Sequence, residues 1–185
     1  LWTLAGQKME DHVDLVPIPP FYDIRFDDGT FFRYTGDAQA MEEQIAKFAP
    51  EDVAGYRRFL QKSEDIFKVG FEKLGHVPFG RVMDMLRIAP AMMKLESYRT
   101  VYNFVSKFIS HPKLRQVFSF HPLLVGGNPF STTSIYTLIA FLERKWGVWY
   151  AMGGTGAIVQ GLSDLIADLG GAQRYGAEVT QITTE

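Results

Sequence analysis

The chain has 185 residues, 46% of them hydrophobic and 22% charged, with a formal net charge of −2. That is enough apolar chain for a core and too little basic excess for a nucleic-acid surface, so no nucleic acid is expected as a partner. Cysteine is absent and the four histidines (His12, His76, His111, His121) show no metal-ligand spacing, so neither thiol chemistry nor a metal site is expected.

In chain order, residues 1–11 read as a short helix. "VPIPPFYDIRFDDGTFFRYTGD" then carries two alternating aromatic runs around Asp28-Gly29, a dipeptide suited to a type I′ hairpin turn. Asp37 caps a predicted helix over 38–48, on which Met41, Ile45 and Phe48 share a face. A longer helix follows: Pro50 suits its first turn, and Val53, Tyr56, Leu60, Phe67, Phe71 and Leu74 recur at helical spacing until Gly75 and Pro78 end it.

Helical patterns resume over 81–95, 98–109 and 113–119, interrupted by Pro90 and Pro112. "HPLLVGGNPF" reads as an irregular turn. A helix over about 132–145 leads to a strand, "GVWYAM", then to a glycine loop, a helix to about Leu169 stopped by Gly170-Gly171, and a final strand, "AEVTQIT". The most apolar stretch of the C-terminal half, "SIYTLIAFLE", is well short of the roughly 20 residues that cross a bilayer. The many aromatics (15 Phe, 8 Tyr, 3 Trp) and 7 Met fit either a large apolar ligand or an aromatic-rich core.

The glycine loop invites a test for a phosphate cradle. Gly154 and Gly156 fill the first two places of G-x-G-x-x-G, but Val159 stands in the third and no Gly-Lys-Ser/Thr follows. The loop is therefore expected to be a strand-to-helix turn.

"GHVPF", "MDMLR…AP", "LRQVFSFHPLLVGGNPF", "SIYTLIAFLERKWGVWY" and "GGTGAIVQGL" together resemble bacterial-type phytoene desaturases, FAD-dependent enzymes of the amine-oxidase-like superfamily that act on carotenoid precursors. The resemblance spans nearly the whole chain. The family's N-terminal dinucleotide fingerprint and its C-terminal flavin segment have no counterpart here, and both ends look like cuts through larger elements. The resemblance thus implies an internal portion, with phytoene or a related precursor, a membrane lipid surface and the rest of the parent polypeptide as partners. FAD is implied for the intact enzyme, with weak or no binding by this chain alone, and the implied location is the cytoplasmic face of the membrane.

The expected fold is α+β, mainly helical with a small antiparallel sheet. Residues 1–36 would hold the short helix and hairpin of a substrate domain, 37–120 a membrane-facing helical region, and 121–171 the return of the substrate domain. Residues 172–185 would be a strand leading back to a flavin domain, and the resemblance implies that Val179, in Val179-Thr180-Gln181-Ile182, meets the cofactor there.

Candidate chemistry follows from the same motifs. Asp84 and Arg87, at i, i+3 in "VMDMLRIAPAMM", read either as a catalytic carboxylate tempered by a cation or as a structural ion pair. Their helix, with Arg81 and Lys94 beside its Met and Leu, reads either as interfacial or as a core helix. Substrate contacts are expected from His121, Leu124, Gly126, Gly127, Asn128 and Phe130 around the turn, and from Trp146 and Trp149. For His121 a proton shuttle competes with a structural hydrogen bond, for the glycines close approach of a polyene competes with positive φ, and for the tryptophans a tunnel competes with the core. A non-enzymatic lipid- or partner-binding helical module is the alternative function.

Overall fold

The computed structural model of the chain describes residues 1–76 and 82–183; Pro78 and Arg81, two of the positions singled out above, lie outside them. The fold is α+β and mainly helical, with two antiparallel sheets of two strands each among the described residues. The chain forms two compact units: Pro19–Val148, and residues 1–18 together with those from 149 onward.

Four strands lie along the described chain, β1 (Leu15–Pro17), β2 (Tyr22–Arg25), β3 (Phe31–Tyr34) and β4 (Trp149–Ala151), and the hairpin β2–β3 opens the larger unit. In β2–β3, Tyr22 pairs with Tyr34 and Ile24 with Phe32. Phe32 and Tyr34 are fully buried while Phe31 and Arg33 face out, the period-two alternation of a half-buried strand. The turn is not the predicted type I′. Phe26 and Thr30 still pair, leaving a three-residue loop closed by the Gly29 N–H on the Phe26 carbonyl at 2.9 Å. Only Gly29, at φ 82°, takes the left-handed conformation, because the extra residue lets Asp28 keep negative φ.

Helix α1 (Ala38–Phe48) starts where Asp37 accepts the Ala40 N–H at 2.7 Å, as its sequence predicts, and buries Met41 and Ile45. Helix α2 (Asp52–Phe67) buries Tyr56, Phe59, Ile66 and Phe67. Gly55 on it lies where a Cβ would come within 1.9 Å of the Phe108 carbonyl, so only glycine admits this approach. The helix does not run on to Leu74. Residues Lys68–Lys73 form a π turn, whose wider winding shifts the phase of the apolar stripe, and Phe71 ends 61% exposed although it stacks on Phe67.

Helix α3 (Val82–Lys94) contains Pro90 rather than being interrupted by it. Pro90 has no N–H to offer the carbonyl of Leu86 one turn earlier, and Leu86 is an exposed residue. Helices α4 (Val101–Val105) and α5 (Pro112–Ser119) follow. The buried Asp52 carboxylate ties α2 to the start of α5, accepting the Ser110 N–H at 2.8 Å, its hydroxyl at 2.9 Å and the His111 N–H at 2.8 Å. Helix α6 (Leu138–Trp146) packs on α2. The core of this unit is aromatic: Phe32, Tyr34, Tyr56, Phe59, Phe104 and Phe118 are all essentially buried.

In the smaller unit β1 pairs antiparallel with β4, and Trp2, Val13, Ala151 and Leu165 form the core. Residues 1–11 are not one helix but two 3₁₀ turns, Trp2–Ala5 and Met9–Asp11, because Gly6 at φ 73° breaks the run. Gly153 and Gly154, both at positive φ, make the turn from β4 into α7 (Thr155–Asp168), and the Gly154 N–H is spent on the Ala151 carbonyl at 2.8 Å. Residues 177–183 alternate like a strand yet form none, since no described strand pairs with them.

Candidate functional site

The stretch His121–Phe130 gathers six of the predicted site residues on one turn. His121–Val125 is a 3₁₀ turn ended by Gly126 at φ 75°, with the Gly127 N–H on the Pro122 carbonyl at 2.8 Å. Gly126 therefore serves conformation, whereas Gly127 serves packing: a Cβ there would stand 2.8 Å from the Thr132 hydroxyl oxygen. Asn128 builds the return, its Oδ1 accepting the Phe130 N–H at 2.9 Å.

The turn pushes apolar side chains into solvent. Leu123, Leu124, Val125 and Phe130 are all about three-fifths exposed. Phe130 lies against the Tyr102 ring at 4.7 Å, and a groove of about 260 Å³ runs between Ile24, Tyr102, Phe120, Leu123, Pro129 and Phe130. Gln116 and Ser119 complete the lining, so rings and aliphatic carbons predominate and no charged side chain is present, which suits an uncharged, largely hydrocarbon surface.

Beneath this turn lies a polar cluster. His121 is fully buried, and its Nε2 stands 3.1 Å from Oε2 of Glu143 on α6. The same oxygen accepts the Tyr22 hydroxyl of β2 at 2.9 Å. Tyr22 stacks on Tyr34 with ring centres 4.7 Å apart. Burial, then the nearby Tyr34 and Glu143, push the Tyr22 hydroxyl well above the ordinary phenol range. Sequence reasoning singled out His121 but missed Tyr22 and Glu143. The only local signal for Glu143 is a carboxylate three residues after Ala140, a fully buried position on α6.

The other predicted residues are placed elsewhere. Asp84 is half-buried and Arg87 exposed on α3, and among the described residues no ion pair or hydrogen bond joins them. Met83, Leu86 and Met93 stand exposed along the same helix. Trp146, half-exposed at the end of α6, sits edge-on to Phe67 at 5.5 Å, with the Lys145 ammonium 4.5 Å from its ring centre. Trp149, on β4, belongs to the smaller unit, as does Val179, which is 75% exposed. Among the described residues no helix is long and apolar enough to cross a membrane.

A flavin needs donors for its phosphates and a walled slot for its ring system. Val179 is exposed on an unpaired segment, and a Cβ added at Gly154 or Gly156 would meet nothing within 4 Å, so open space surrounds the glycine turn. The described residues do not by themselves fit FAD.

Comparison with known proteins gives the kinship of these features. The chain is 52% identical to a lycopene-forming phytoene desaturase of Pseudescherichia vulneris over 98% of its length, and 51% identical to one of Pantoea ananas over 100%. It is 37% identical to a neurosporene-forming phytoene desaturase of Cereibacter sphaeroides over 100% of its length. It spans only 37% of the length of the first two relatives and 36% of the third. The sequence pattern of the flavin containing amine oxidoreductases matches residues 1–185 in full, and the chain belongs to that family.

Proposed function

We propose that this chain is the substrate-contacting and membrane-associating portion of an FAD-dependent phytoene desaturase, which introduces double bonds into a long carotenoid precursor. The observation that carries the reading is the identity of about half of all positions, along the whole chain, to phytoene desaturases that form lycopene. The exposed apolar turn and its uncharged groove support it, since a hydrocarbon substrate has no polar group for a protein to grip and is held by area alone. The exposed Met83, Leu86 and Met93, with Arg87 and Lys94 on the same helix, suit an interfacial helix at the cytoplasmic face of the membrane.

In this reading the flavin supplies the redox chemistry from elsewhere in the parent protein. This chain holds the hydrocarbon and excludes water from it, with Asp84 on α3 as the candidate acid–base group. The smaller unit exposes Leu1, Leu4, Ile166 and Leu169, a surface the rest of the parent polypeptide would cover.

The test is retention of phytoene from detergent micelles by the immobilised chain, measured by extraction. Saturable retention that Phe130→Ala lowers roughly tenfold is expected, as burial of one aromatic side chain accounts for such a factor. Liposome binding with no retention of phytoene would favour the lipid-binding module instead.

A further inference from the structure

Glu143 comes from α6, Tyr22 from β2, and His121 is the first residue of the turn itself. With Glu143 as a carboxylate, Oε2 accepts from the Tyr22 hydroxyl and from His121, which assigns the ring proton to Nε2. Its Nδ1 is buried and has no hydrogen-bond partner among the described residues. The ring is enclosed by Phe120, centre to centre 4.6 Å, and by Tyr34 at 5.9 Å, so a second proton on Nδ1 would be a buried donor with nothing to bond. The neighbouring Arg144 turns away, donating to the carbonyls of Thr35 and Asp37 at 2.9 and 3.4 Å.

We propose that Glu143 is a positioning residue for the apolar turn: by accepting from His121 and Tyr22 together, it fixes the base of His121–Val125 against α6 and β2. Leu123, Leu124 and Phe130 are then presented in one orientation instead of being free to collapse into the groove between them. That this surface meets a hydrocarbon substrate rests on the function proposed above; that Glu143 orders the turn does not. The position is otherwise an apolar one, one turn after the fully buried Ala140, so a carboxylate here needs a reason that filling space does not supply.

Amide hydrogen exchange on the 185-residue chain tests this at Leu123, Gly126 and Gly127, whose N–H groups close the turn on the carbonyls of Phe120, Leu123 and Pro122. Glu143→Leu fills the space and removes the acceptor, and is expected to speed exchange there about tenfold or more while α1 amides such as Ile45 stay unchanged. Glu143→Gln keeps an acceptor oxygen and should restore most of the protection. Equal exchange in all three chains, or a uniform rise over α1 and the turn alike, would overturn the proposal. Should the Leu variant not fold, nitrogen NMR of the His121 ring in the unmodified chain decides: an unprotonated Nδ1 and a protonated Nε2 are expected, and the reverse would overturn it. Protection of Leu124 and Phe130 by micellar phytoene is a separate readout. Its absence would remove the substrate reading while the exchange pattern still judges Glu143.

Discussion

Lys113 and Thr30 donate to the Asp28 carboxylate at the hairpin tip and hold its pKa down to about 2. An unfolded aspartate titrates near about 3.9, so this contact stabilises the fold above that pH and is lost as pH falls through about 2. A carboxyl NMR titration should therefore place the Asp28 midpoint near 2, and a midpoint near the unfolded value would contradict the contact. The tyrosines give the opposite limb. Burial raises Tyr22, Tyr34 and Tyr56, so they stay neutral when an unfolded tyrosine, near about 10, would ionise. Stability is expected to fall as pH rises above about 10, and a melting temperature flat through that range would count against these assignments. Asp52 stands in the first turn of α2, where sequence alone shows only a charge suited to a helix start. Its actual work, holding Ser110 and His111 across 58 and 59 residues of chain, could not be seen from spacing. Asp52→Ala leaves the Ser110 N–H and hydroxyl and the His111 N–H, all part-buried, without their acceptor and should cost about 1–2 kcal/mol in denaturant unfolding; a loss under ~0.5 kcal/mol would refute the role.

Elements were legible where one periodicity settled the matter. The alternation that buries Phe32 and Tyr34, and the Asp37 cap with Met41 and Ile45 behind it, are local signals, and the hairpin strands and α1 follow from them. The turn type escaped because it depends on whether Phe26 and Thr30 pair, and the π turn at Lys68–Lys73 because a change of winding leaves no mark in residue types. The site divides in the same way. The turn His121–Phe130 was visible from its glycines and apolar run, whereas the Tyr22–Glu143 contact joins residues 121 apart and has no local signature. At this scale Gly126→Ala, which puts a side chain at φ 75°, should cost about 1 kcal/mol and loosen the turn without a clash, as a Cβ there meets nothing within 4 Å. On α3, Met83→Glu with Leu86→Glu should lower binding to liposomes roughly tenfold, read by co-sedimentation; unchanged binding would place the membrane contact elsewhere.

Across the whole molecule, the two units divide the predicted site. Pro19–Val148 holds the turn, its groove, α3 and Trp146, while the smaller unit holds Trp149, the glycine turn and Val179. The turn residues and Trp146 thus share a scaffold whose core is closed by aromatic contacts, whereas Trp149 lies in the other unit and Val179 stands exposed. The glycine turn connects β4 to α7, with Gly153 and Gly154 at positive φ and the Gly154 N–H on the Ala151 carbonyl. Calorimetric titration of the chain with FAD should accordingly show weak binding or none, and tight saturable binding would return the flavin site to this chain.

The most direct measurement replaces the matching stretch of the Pantoea ananas phytoene desaturase with these 185 residues and follows lycopene formation from phytoene. The account predicts a chimera that forms lycopene and loses that activity when Phe130 and Leu123 are cut to alanine. A chimera that folds and binds FAD yet leaves phytoene unconverted would contradict it.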